Sequence, residues 1–115
     1  MGRGTSGTGK ATSQANLEVS VTPAGEGPTK LWTLRCTPPG GTLPHAEDAC
    51  TRLARLDDPF APVPKDVACT AIYGGPQTAE VHGTFRATKV DATFSRGDGC
   101  EIARWDAVGF LFPGT

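Results

Sequence analysis

The residues of this chain whose chemistry is most legible are four cysteines, Cys36, Cys50, Cys69 and Cys100. Thirteen residues lie between the first two and thirty between the last two, and no Cys-x-x-Cys pair occurs. Zinc knuckles and thioredoxin-like redox centres need that close spacing, so neither is expected. An even number of cysteines in a small chain rich in Pro and Gly points instead to disulfides, and so to an oxidising, extracellular setting. Spacing leaves three pairings open, of which the local one, Cys36–Cys50 with Cys69–Cys100, is preferred. Each bridge would stabilise the fold by about 3–4 kcal/mol through the entropy it removes from the unfolded chain.

The remaining reactive side chains form no recognisable centre. His45 and His82 are not spaced as a metal pair, so each reads as a surface or capping residue, and no metal or cofactor is expected. Asp57-Asp58 could be imagined as paired carboxylates for acid–base work, but a solvated loop after a helix is the simpler reading. No serine sits in a Gly-x-Ser-x-Gly elbow, so a hydrolase has no support, and the chain is not expected to be an enzyme. Arg96-Gly97-Asp98 spells a cell-adhesion tripeptide by chance; Gly97-Asp98-Gly99 is read as a turn. Trp105 is read as a core or interface anchor.

Composition narrows the partners. Eleven basic and twelve acidic residues give a net charge of -1 over 115 residues, with no dense run of Lys and Arg. The electrostatic footprint of a nucleic-acid binder is therefore missing. No apolar stretch approaches the roughly 20 residues of a membrane-spanning helix. Met1 to Gln14 is rich in Gly, Ser and Thr and carries no apolar signal core. Either a leader has been removed or Met1 to Lys10 is an expression remnant, so secretion is argued from the cysteines. The length suits one domain, and 37% hydrophobic residues with 7% aromatics make a thin core that benefits from covalent constraint.

The elements that must position the cysteines follow from periodicity. Residues 1–16 read as a disordered tail, with one domain over 17–115. Leu17, Val19 and Val21 alternate with polar residues, which predicts a strand with one buried face. Leu31 to Cys36 is a second strand, with Trp32, Leu34 and Cys36 on one side. His45 to Asp57 is a helix: Ala46, Ala49, Cys50, Leu53 and Leu56 share one face, with acids near its start and arginines near its end. Asp58 to Pro64 is a proline-rich loop, and Val67 to Tyr73 is extended. Ala79 to Phe85 and Lys89 to Phe94 are further strands, and Val108 to Phe112 is a short apolar last one. The fold class is α+β: about five strands, mostly antiparallel, with one or two helices on one face and two disulfides.

The second half carries a longer pattern: Cys69-Thr70-Ala71-Ile72-Tyr73, Pro76, Val81-His82-Gly83-Thr84-Phe85, Cys100-Glu101 and Val108-Gly109-Phe110-Leu111-Phe112. Upstream, Leu31-Trp32-Thr33-Leu34-Arg35-Cys36 precedes Gly41-Thr42-Leu43-Pro44 and Ala49-Cys50. Together these resemble the Streptomyces subtilisin inhibitor family from Leu17 to Phe112. The resemblance implies a five-stranded antiparallel sheet with helices on one face and the bridges Cys36–Cys50 and Cys69–Cys100. It also implies secretion, a homodimer formed through the sheets, and inhibition of subtilisin-like serine proteases. Family members place the specificity residue two positions after the third cysteine. That makes Ala71-Ile72 the scissile bond, within a reactive loop of Ala68, Cys69, Thr70, Ala71, Ile72 and Tyr73. Two departures matter. Gly74-Gly75 stands where many members have one residue before the proline. Asp98 stands where relatives often carry a loop-supporting Asn, and an ionised carboxylate accepts but cannot donate. Alternatives are a secreted binding module on the same scaffold, or an additional metalloprotease target to which no residue is assigned.

Overall fold

A computed structural model of the chain describes residues 14–115. The elements are β1 (Ala15–Thr22), β2 (Lys30–Cys36), α1 (Ala46–Ala54), β3 (Thr78–Phe85), β4 (Thr88–Phe94) and α2 (Gly99–Val108), followed by a 3-10 turn at Gly109–Leu111. The strands form one sheet in the order β2-β1-β3-β4, and every neighbouring pair is antiparallel. The long connection through α1 and residues 55–77 therefore returns the chain to the free side of β1, where β3 pairs.

Register follows the alternation in the sequence. Val19 lies opposite Trp32 on β2 and Val81 on β3, and Val81 lies opposite Ala92 on β4. These positions, with Leu17, Val21, Leu34 and Phe94, face one core, while Glu18, Thr33, Arg35, Glu80 and Asp91 are exposed. A one-residue slip would turn every one of these side chains over, so the burial of one face fixes the pairing. Full burial of a Val or Leu side chain contributes roughly 1.5–3 kcal/mol. Both helices cover the inner face, contributing Ala49, Cys50 and Leu53 from α1 and Trp105 and Val108 from α2. Trp105 and Phe94 both pack on Phe112, with ring centroids 4.6 and 5.3 Å apart.

Among the described residues the sheet has four strands, where about five were expected. The apolar run Val108 to Phe112, expected as a strand, is the end of α2 and the 3-10 turn. Trp105, Val108, Leu111 and Phe112 are all buried. Their three-four spacing is that of a helical face, and a short apolar run cannot by itself distinguish the two conformations. Val67 to Tyr73 joins no strand. β1 starts at Ala15, two residues before the expected Leu17, because Ala15 and Asn16 pair on both sides. The tail expected over residues 1–16 otherwise lies outside the described residues. α1 is shorter than the expected His45 to Asp57, since His45 is its N-cap and Arg55 its C-cap.

Candidate functional site

Between α1 and β3, residues Pro64 to Tyr73 run along the surface, and every one is exposed. Among the described residues the large hydrophobic side chains left in water are Leu31, Val67, Ile72 and Tyr73, with Ile72 54% and Tyr73 69% exposed. Adjacent apolar side chains in that condition gain nothing from the fold, so something other than burial must hold this stretch in place.

Two bonds hold its beginning. Cys69 is joined to Cys100 with their Cα atoms 5.3 Å apart. One residue on, the Thr70 carbonyl accepts the Gly99 N–H at 2.8 Å. The same carbonyl accepts the Ile72 N–H at 2.9 Å, which closes a three-residue turn centred on Ala71. Its end is held at Gly74, whose N–H donates to the Arg96 carbonyl at 2.7 Å. Ala71, Ile72 and Tyr73 project between these two anchorages.

Both anchorages come from α2 and the turn that leads into it. Asp98 is the N-cap of α2, and its carboxylate accepts the Glu101 N–H at 2.9 Å. The first N–H groups of any helix lack internal partners. Here the Gly99 N–H is spent on the loop carbonyl of Thr70. A Cβ at Gly99 would lie 3.0 Å from Thr70 Cβ and Oγ1, so the absent side chain is what lets backbone meet backbone. Asp98 thus acts on the loop through the helix it starts, not through a bond of its own carboxylate to the loop. The expected simple turn at Gly97-Asp98-Gly99 is the entry to α2. The pattern Asp98-x-x-Glu101 ahead of Trp105 and Val108 was the available signal, since an N-cap acid followed by Glu three residues later marks a helix start.

Other sequence candidates fall elsewhere. Cys36 is bonded to Cys50 and ties β2 to α1. Cys69, Asp98 and Cys100 present donor atoms within 4.8 Å of one another, but the two sulfurs are bonded together and offer no thiolate. His45 sits at the N-cap position of α1 without a capping bond from its side chain, while His82 lies mid-β3 with Nε2 2.9 Å from Glu80 and Nδ1 3.0 Å from Asp91. The hydrogen bond to Glu80 is the main cause of a raised His82 pKa; partial desolvation opposes it, and the charges of Asp91, Glu80 and Glu18 add to it. Asp57 and Asp58 line a concavity of about 620 Å³ with Phe60, Arg86 and Asp91. That hollow includes no residue of the exposed loop. Arg96 and Asp98 are engaged at Gly74 and Glu101, so the adhesion-like tripeptide is occupied structurally.

Comparison with known proteins identifies the family. The subtilisin inhibitor-like family model matches residues 7–96. Subtilisin inhibitor-like protein 5 of Streptomyces fradiae is 33% identical over 78 residues, covering 65% of this chain and 72% of that protein. The match to the family model spans most of the chain, including the exposed Cys69 to Tyr73 stretch. The chain belongs to the subtilisin inhibitor-like family, whose members are inhibitors and not enzymes.

Proposed function

We propose that this protein is a substrate-like inhibitor of subtilisin-type serine proteases and that Ala71-Ile72 is the bond it offers. The observation that carries this reading is an exposed peptide fixed on both sides: Cys69 and Thr70 are tied to α2, Gly74 is tied to Arg96, and Ala71 to Tyr73 project into solvent between them. A protease cleft binds an extended peptide and must order it. Here that ordering is completed on folding, so less entropy is lost on binding.

In this reading Ala68, Cys69 and Thr70 pair with the enzyme backbone as an added strand does. Ala71 enters the specificity pocket, and Ile72 and Tyr73 follow on the leaving side. Their exposed apolar surface is then covered by the enzyme. Ala71 is small and neutral, which suits a subtilisin-like or elastase-like pocket. In a trypsin-like pocket it would leave the buried acid without a cationic partner. Two disulfides suit a secreted protein. No helix among the described residues is long and apolar enough to cross a membrane. The outward sheet face, where Leu31 is 63% exposed, is the surface for a homodimer.

The test is a titration of subtilisin with the protein, reading residual activity. Stoichiometric loss of activity is expected. Rapid digestion with activity retained would reduce the loop to an ordinary substrate and leave a binding module on the same scaffold.

A further inference from the structure

The end of the loop that follows the Ala71-Ile72 bond has no disulfide. Its anchorage is Gly74, and one side chain organises it. Arg96 donates from Nε to the Gly74 carbonyl at 3.1 Å, while its own carbonyl accepts the Gly74 N–H at 2.7 Å. Arg96 Nη1 donates to Asp106 Oδ1 at 3.0 Å, and the guanidinium lies 5.9 Å from the Trp105 ring centre. The planar fork is therefore set by α2 before it meets the loop. Ile102 of the same helix leaves no free room at Gly74, since a Cβ there would come 2.8 Å from Ile102 Cδ1.

We propose that Arg96, oriented by Asp106, is a positioning residue that holds the leaving segment after the Ala71-Ile72 bond is cut and so keeps the inhibitor from being consumed. This rests on the reactive-bond reading above. Hydrolysis adds water across the bond, leaving a carboxyl group on Ala71 and an amine on Ile72. Resynthesis needs that amine to return to the Ala71 carbonyl carbon, and its chance of doing so depends on how far it can wander. With Gly74 clamped, Ile72 and Tyr73 are the tether. Without the clamp the next fixed points are Pro76, whose carbonyl lies against Gly25, and Thr78 in β3. The tether then grows from two residues to four or six. Effective concentration falls as about the 3/2 power of tether length, so the cut form gains roughly three- to fivefold over the intact form.

The experiment uses the full chain with Arg96→Met and, because Asp106 is exposed and tolerant of change, Asp106→Asn. Amide hydrogen exchange in the free protein reads the Gly74 N–H. Incubation with a catalytic amount of subtilisin, followed by mass analysis, reads the equilibrium ratio of cut to intact protein. Arg96→Met removes the Nε bond to the Gly74 carbonyl and keeps the main-chain bond, so it is expected to speed Gly74 exchange and raise that ratio by up to roughly three- to fivefold, with Asp106→Asn moving both in the same direction by less. A purely structural role would lower thermal stability and leave the ratio in the surviving folded protein unchanged. Unchanged Gly74 exchange in both variants, or an unchanged ratio, overturns the proposal. A wild-type protein that fails to titrate subtilisin sinks the reactive-bond reading instead, and the exchange measurement still decides whether Arg96 holds Gly74.

Discussion

Ala71 and His82 show two ways in which one side chain can set behaviour without being buried. At Ala71 the side chain is small, exposed and central to the turn that Ile72 closes on Thr70, so a longer group can be placed there without disturbing any packing. Ala71→Lys would supply the cation that a trypsin-type pocket demands, and a charged hydrogen bond is worth about 1.5–3 kcal/mol. The expected result is trypsin inhibition tightened by about 10- to 100-fold, read as an inhibition constant. At His82 both ring nitrogens face carboxylate oxygens. A neutral imidazole has one N–H and can satisfy one of them; the imidazolium satisfies both. The folded pKa is raised from the ordinary 6.5, chiefly by the hydrogen bond to Glu80. A raised pKa means that the added stability is fully present below pH 6.5 and is lost as pH rises through the folded value. A proton-resonance titration of His82 is expected to give a midpoint above 6.5, with Asp91→Asn moving it down.

Among the elements, α2 does most to hold the exposed loop, and it is the helix that local sequence patterns announce least. Its first turn binds Thr70 and Cys69 through Gly99 and Cys100, and its middle supports the grip on Gly74 through Ile102, Trp105 and Asp106. The strands were legible because alternation over Leu17 to Val21 or Lys89 to Phe94 is a local signal of one buried face. α2 was obscured by Gly97 and Gly99, which look like turn residues, and by its apolar end at Val108, which runs on to Phe112 and reads equally well as a short strand. Its N-terminus gives a sharp test. Gly99→Ala is a favourable change for a helix, by less at this first position than the about 1 kcal/mol of a helix interior. Yet the new methyl would meet Thr70 at 3.0 Å. The expected outcome is undiminished thermal stability with inhibition of subtilisin weakened by about 5- to 10-fold, the worth of roughly one backbone hydrogen bond.

At the scale of the molecule, the thin four-strand sheet and its two helices are fastened at two separate places. Cys36–Cys50 joins β2 to α1 across 14 positions, and Cys69–Cys100 joins the loop to α2 across 31. In the chain-entropy model the longer loop contributes about 4 kcal/mol, a large part of the stability of a domain this size. The Cys69→Ser/Cys100→Ser protein is expected to unfold at lower urea, with a loss of roughly 3–4 kcal/mol. It is also expected to be cleaved by subtilisin at Ala71-Ile72 and consumed, which gel analysis of the mixture over time would show. Full, lasting inhibition by that variant would mean that the bridge is not what restrains the loop.

The sequence by itself determined the antiparallel sheet, the first helix, the disulfide chemistry and the resemblance that singled out Ala71-Ile72. Each rests on patterns a few residues long or on residue types at fixed intervals, because side-chain direction along a strand or helix is set locally. Spacing alone left three cysteine pairings open, and nothing local announced that β3 would add to β1 or that Arg96 would reach Gly74, 22 positions away. Those were decided by tertiary structure, since the partner of a strand edge, a thiol or a guanidinium depends on which distant surfaces are buried together once the chain closes.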